Sequence, residues 1–209
     1  MQPKLLYHIT DYRNLSSILD KGGLEAYSQV TDKEISYTDI AHQSIQTRRS
    51  TTPIPLPPYG MLHDYVPFYF APRSPMLYAI KQGNVEGFRG TQSDIIYMVT
   101  RTDILQKAGK NFVFTDGHAV MIWTEFYKEL SYIDKVDWDV MNSIYWNDTD
   151  EHPDRKRKRQ AEFLVHQFVD FDLFLGIGVI NDEMKQKVIE ILEKYQSEKQ
   201  VLRKPNFYY

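Results

Sequence analysis

The sequence predicts an α+β domain, and three observations lead there. Apolar runs of strand length occur at 94–100 and 163–165, and alternating runs at 5–10 and 65–70, so strands are numerous. Short apolar stripes at helical spacing are interspersed among them. The two kinds do not follow the strand-then-helix rhythm that builds a parallel α/β sheet. With 209 residues and no repeat, low-complexity tract or linker, the chain reads as one domain over 1–209.

Taken in order, Leu5, Tyr7 and Ile9 alternate with Leu6, His8 and Thr10, a strand that sets His8 and Thr10 on one face. Asp11 or Asn14 can cap a following helix with Leu15, Ile18 and Leu19 inward, and Gly22 supplies its left-handed stop. Residues 25–52 are polar and read as a long excursion with one short helix near 38–48, ending in Arg48-Arg49 beside the stiff segment that carries Pro53, Pro55, Pro57 and Pro58. The next strand has aromatics on both faces, and Pro67 puts it near a sheet edge or at a strand start. Ser74-Pro75 opens a helix that Gly83 ends.

The run at 94–100 suits the middle of a packed sheet, Asp103 caps a short helix after it, and a strand at 112–114 follows. By composition 115–118 is a turn, which leaves His118 just past a strand end, where sites often lie. Residues 123–130 look helical and 137–146 amphipathic; 147–153 is a loop. Asp182 caps a last helix whose stripe is Met184, Val188, Ile191, Leu192 and Tyr195.

The segment that matters most is 155–166. Five cationic residues, 155–159, lead to Glu162, which opens the apolar run Phe163-Leu164-Val165. An acid in such a strand has costly desolvation unless it finds donors or a cation, which marks a working residue; a solvated loop acid beside a basic patch is the competing reading.

Composition narrows the chemistry. A formal charge of −3 excludes a uniformly basic nucleic-acid binder but leaves room for a local basic stripe. The absence of cysteine removes disulfide and thiolate chemistry, and six scattered His residues lack metal-ligand spacing, so no metal is expected. No apolar run approaches a signal peptide or the ~20 residues of a membrane span, so a cytoplasmic protein without membrane contact is expected. Neither phosphate-cradling glycine motif, Gly-x-Gly-x-x-Gly or Gly-x4-Gly-Lys-Ser/Thr, occurs.

Several motifs gain specificity together: Tyr7-His-Ile-Thr10, Asn14-Leu15 with Gly22, Arg48-Arg49, His63-Asp-Tyr-Val-Pro-Phe-Tyr-Phe70, Pro72-Arg-Ser-Pro-Met-Leu77, Phe112-Val-Phe-Thr-Asp116 with His118, and Gln160-Ala-Glu-Phe-Leu-Val165. In this order and spacing the chain resembles the DarT family of DNA ADP-ribosyltransferase toxins from about Tyr7 to Val179. The weakest likeness falls at 25–41 and 147–154. The resemblance implies the ADP-ribosyltransferase fold, a split pair of antiparallel sheets with surrounding short helices. It implies transfer of ADP-ribose from NAD to a thymidine base in single-stranded DNA, with a macrodomain antitoxin as partner.

On matching positions it implies His8, Ile9, Thr10, Ser17 and Arg49 on the NAD, Glu162 as catalytic acid, and Arg49 as a base toward thymine. A guanidinium stays protonated in proteins, so Arg49 is better read as a fixed cation, with His118 or solvent taking the proton. For the DNA, Arg155, Lys156, Arg157 and Lys158 are expected to meet phosphates, and Tyr65, Tyr69, Tyr145 and Trp146 to stack bases unless they are core. A transferase acting on RNA or protein, and a non-catalytic binding module, stand as alternatives.

Overall fold

Leu5–Asp11 forms the strand that the alternation predicts (β1), and it lies at the middle of the principal sheet. The computed structural model describes residues 2–31, 37–41 and 43–209. The other strands are β2 Gly23–Glu25, β3 Tyr65–Tyr69, β4 Ile95–Arg101, β5 Phe112–His118, β6 Phe126–Tyr127, β7 Ala161–His166, β8 Phe168–Asp170, β9 Gly176–Val179 and β10 Val201–Arg203. The helices are α1 Leu15–Asp20, α2 Tyr27–Thr31, α3 Gln43–Thr51, α4 Pro75–Lys81, α5 Thr102–Lys107, α6 Trp138–Asn142, α7 Arg155–Lys158 and α8 Asp182–Lys194.

The principal sheet runs β10-β9-β4-β1-β3-β7-β5-β6, and β2 pairs with β8 beside it. Its pairings are antiparallel except β9 with β10, which is parallel. At its centre β1 and β3 share the single register pair Tyr7↔Tyr69, whereas β1 and β4 pair from Leu5↔Arg101 to Asp11↔Ile95. Two halves, antiparallel apart from the β9–β10 edge, therefore meet at one rung, in keeping with the split that the resemblance implies.

Pro67 accounts for part of that seam. The sequence puts it near an edge, yet it sits mid-strand in an interior strand, opposite Leu164 of β7. Proline has no N–H to give β1, and its carbonyl faces the His8 ring, with Nδ1 at 2.8 Å, instead of a backbone donor. The ladder opens there.

One sheet face carries the main core, where Leu6, Val66, Phe68, Met98, Phe163 and Val165 pack against Leu15 and Ile18 of α1 and Met184, Val188 and Leu192 of α8. The other face carries two separate clusters, one around Tyr7, Ile9 and Tyr97 under α4, the other around Tyr65, Val113 and Leu164. By the two-residue period of a strand, Glu162 shares this second face with Leu164.

Several local expectations are corrected. Residues 123–130 contain β6, not a helix: Tyr127 pairs with Phe114 and stacks on its ring at 5.4 Å, a tertiary contact that overrides local pattern. The excursion at 25–52 holds two helices, α2 and α3, with residue 42 and 32–36 outside the described residues. Asp103 lies inside the first turn of α5, paired to Arg101. Asn181, not Asp182, caps α8, accepting from Met184 N at 2.8 Å. The turn expected at 115–118 is a bulge within β5, whose register with β7 shifts between Phe114 and His118.

Candidate active site

A cleft of about 1200 Å³, counted to its open mouth, lies where β1 and β3 part, and among its lining residues are His8, Ile9, Thr10, Ser17, Arg49, His118 and Glu162. Seven positions spread over more than 150 residues of sequence thus face one space. They arrive on five supports: β1 for the first three, α1 for Ser17, α3 for Arg49, β5 for His118 and β7 for Glu162.

Glu162 is 4% exposed, which rules out the solvated loop acid. Two contacts hold the carboxylate there and a third fixes its backbone. Arg49 Nη1 donates to Oε2 at 2.7 Å, the Ala119 N–H donates to Oε1 at 3.3 Å, and the backbone N–H of Glu162 donates to Thr115 Oγ1 at 2.9 Å. Thr115 also donates to Gly117 O at 2.6 Å, so its hydroxyl fills the rung that the β5 bulge leaves open. Both ion-pair partners are nearly dry, the condition under which losing either is costly.

Arg48 and Arg49 close α3, where cations suit the negative end of the helix dipole. Successive helical residues diverge by ~100°. Arg48 accordingly donates to Val120 O at 2.9 Å, while Arg49 reaches the acid. The second nitrogen of Arg49, Nη2, is buried without a hydrogen-bond partner among the described residues, as is Nδ1 of His118. A bound molecule carrying oxygens and ring nitrogens would satisfy both.

Two imidazoles line the cleft, and burial favours the neutral form of both. Burial lowers the His8 pKa to about 4, against the raising effect of its bond to Pro67 O. His8 is therefore neutral, Nδ1–H donates to the carbonyl, and Nε2 is left as an acceptor. Burial also lowers the His118 pKa, with Arg49 and Arg48 acting the same way and Glu162 opposing them. Tyr69 lies directly across from Glu162, and burial next to that carboxylate holds its hydroxyl protonated.

Sequence reasoning named Tyr69 only as a ring for stacking; its position opposite Glu162 depends on the β3–β7 register, which no local pattern encodes. It also left out the Gln46 bridge, in which Gln46 Nε2 donates to Asp39 at 3.1 Å and Oε1 meets His63 Nε2 at 3.0 Å, tying α3 to the cleft wall. His63 within the quoted aromatic motif was the available signal.

The basic run is largely spent inside the fold. Arg157 pairs with Asp116 and Asp154, Lys158 pairs with Asp137, and Arg159, 5% exposed, donates to the carbonyls of Val140, Met141, Ser143 and Pro72. Arg155 donates to Ser143 Oγ and to Tyr145 O. Of the four residues expected on phosphates, Lys156 is exposed, while Lys158, whose side chain is 37% exposed, is held by Asp137. Trp146 is corrected as well: it is 6% exposed and its Nε1 donates to Tyr209 OH at 2.9 Å, so it belongs to the core, whereas Tyr145 is 82% exposed. Among the described residues no cluster of His, Cys, Asp and Glu could hold a metal, and no helix is long and apolar enough to cross a membrane.

The family described as "ssDNA thymidine ADP-ribosyltransferase, DarT" matches residues 7–209. The chain belongs to the DarT family. It is 41% identical over 194 residues to the DNA ADP-ribosyl transferase of Thermus sp. strain 2.9, covering 93% of this chain and 90% of that one. Its fold superposes on "Thermus sp. 2.9 DarT in complex with ADP-ribosylated ssDNA" with a TM-score of 0.92 at 38% identity, covering 99% of this chain and 96% of that one. With "Thermus sp. 2.9 DarT in complex with NAD+" the TM-score is 0.87 at 37% identity, covering 100% and 99%. A Thermosipho africanus relative, 30% identical over 181 residues that make up 86% of this chain and 43% of that one, is a DNA ADP-ribosyl transferase–DNA ADP-ribosyl glycohydrolase fusion. The chain is an NAD-dependent DNA ADP-ribosyltransferase, with NAD as co-substrate. That sets aside the RNA-modifying, protein-modifying and non-catalytic alternatives.

Proposed function

We propose that Glu162, Arg49 and His118 carry the transfer of ADP-ribose to thymidine in single-stranded DNA, and that His8, Ile9, Thr10 and Ser17 hold the NAD. The observation that carries this assignment is the Glu162 carboxylate, buried and fixed by Arg49 and the Ala119 N–H in the cleft that β1 lines. When the nicotinamide–ribose bond breaks, nicotinamide leaves with the bonding electron pair and C1′ becomes cationic. A fixed anion beside it stabilises that charge more than it stabilises the neutral sugar. Arg49 keeps the anion oriented and offers its free Nη2 to the substrate.

The acceptor nitrogen of thymine forms the new bond to C1′ and loses a proton. His118 suits that proton, because its lowered pKa keeps a lone pair available at neutral pH. A guanidinium cannot take it. Arg49 instead stabilises the developing thymine anion. Base pairing hides the acceptor nitrogen, so an unpaired strand is the suitable substrate.

Tyr145 and Lys156, exposed on the segment that leads back to Glu162, supply a stacking ring and a cation for the strand. A macrodomain antitoxin that removes the mark is the partner we infer, supported by the glycohydrolase joined to the Thermosipho africanus relative. Incubation with NAD and a thymidine-containing oligonucleotide, followed by mass spectrometry of the DNA, tests the assignment. The wild type adds one ADP-ribose per modified thymidine, and variants of Glu162 do so at least about 10²–10³-fold more slowly.

A further inference from the structure

We infer that Arg157 is a positioning residue for the transfer to DNA: its guanidinium clamps the β5 bulge and the 119–124 loop, and thereby places His118 and the Ala119 N–H beside Glu162. All five of its N–H groups are used. Nε donates to Asp154 Oδ1 at 2.8 Å, Nη2 to Asp154 Oδ2 at 2.8 Å and Asp116 Oδ2 at 3.3 Å, and Nη1 to Asp116 Oδ1 at 3.0 Å and Thr124 Oγ1 at 3.2 Å. Thr124 passes the connection on, since its hydroxyl donates to the carbonyl of His118 at 2.8 Å. Near the start of that loop Arg48 holds Val120 O. The loop that carries the Glu162 donor is gripped at both ends.

The backbone beneath is shaped for this side chain. A Cβ on Gly117 would stand 2.2 Å from Arg157 Nη1 and 2.8 Å from its Cζ, so with Arg157 pinned by its two carboxylates the guanidinium occupies the space that a side chain at 117 would need. Two carboxylates already face the single guanidinium charge, so a DNA phosphate would have to displace one of them to bind there. The clamp therefore works through the wall of the site rather than on the substrate.

The inference rests on the reading that Glu162 and His118 face the reacting groups. In Arg157→Gln, NAD affinity stays within about twofold of wild type while turnover on single-stranded DNA falls about tenfold or more, since small misplacements of reacting groups cost rate heavily. Arg157→Lys restores part of that loss. The salt dependence of DNA binding keeps its wild-type slope. Thr124→Val, which cuts only the link to His118, shows a smaller loss of turnover of the same kind.

Three results overturn the clamp: wild-type turnover in folded Arg157→Gln, a salt slope reduced by about 0.7 as expected for one lost phosphate contact, or NAD affinity and turnover falling together. If Arg157→Gln does not fold, Thr124→Val and Asp116→Asn decide the matter, and unchanged turnover in both overturns it. Full transfer by His118→Ala strikes the functional reading of His118 alone, because the Ala119 N–H on Glu162 remains as the clamp's route to the site.

Discussion

Arg49 Nη1 stands 2.7 Å from Glu162 Oε2, and the two side chains are 12% and 5% exposed. Helix α3 and strand β7 are thus joined by a nearly dry ion pair in the cleft between residues 113 apart in sequence. The pair orients the acid, and it also means that a substrate entering the cleft meets a carboxylate and a cation already in register.

Glu162→Gln keeps the shape and an acceptor for Arg49 but removes the charge, so transfer falls by about 10²–10³-fold with the fold intact. Glu162→Ala loses at least as much activity and, by leaving Arg49 buried without a partner, also destabilises the fold by about 3–5 kcal/mol. Oligonucleotide modification by mass spectrometry and urea unfolding separate the two effects. Near-normal transfer by either folded variant would refute the assignment.

Arg49→Lys and Arg49→Ala distinguish a charge from a fork. If a point charge suffices, Lys retains measurable transfer and Ala does not. Equal, complete loss in both variants would instead assign Arg49 a two-pronged contact through Nη1 and the free Nη2.

The acid limb of the pH–rate profile reports His118. Burial lowers its pKa below 6.5, so the neutral imidazole persists as pH falls and is protonated only below that value. Transfer at saturating DNA and NAD should stay level from neutrality down past pH 6.5 and then drop. His118→Ala should be slow and lack that limb; a limb unchanged in the variant would take the proton away from His118.

His8 makes a separate, thermodynamic prediction. Its folded pKa of about 4 lies below the ordinary 6.5, so between these values the unfolded chain binds a proton that the folded one refuses. Stability therefore rises with pH across this window and is lost as pH falls through it, by at most about 3 kcal/mol from this residue. Urea titrations of wild type and His8→Gln at several pH values check this: the variant should show the shallower acid decline.

Tyr145 and Trp146 are adjacent but should respond oppositely. Tyr145→Ala weakens binding to single-stranded DNA by about 1–3 kcal/mol and leaves stability unchanged. Trp146→Ala empties a core position and costs about 3–5 kcal/mol of stability. Lys156→Gln lowers the salt slope of DNA binding by about 0.7 if it meets one phosphate. Unfolding curves and fluorescence titrations on one oligonucleotide distinguish these outcomes.

Much was legible in local pattern. Alternation located β1 and β3, Ser74-Pro75 marked the start of α4, and an acid opening an apolar strand singled out Glu162. These are readable because strand period, capping and desolvation act over a few residues. The helix expected at 123–130 was misjudged because the stacking of Tyr127 on Phe114 decides that segment from across the sheet.

The sequence by itself determined the α+β class and the membership in DarT through its ordered motifs, and it singled out the acid and the arginines that we propose for the chemistry. Only the tertiary structure decided how those arginines divide. Arg49 faces the acid, Arg48 the 119–124 loop, Arg157 two carboxylates, and Arg159 a ring of carbonyls. The reason is that a cation's role is set by the nearest acceptors at hydrogen-bond distance. Strand register and a β-bulge bring those acceptors from up to 113 residues away.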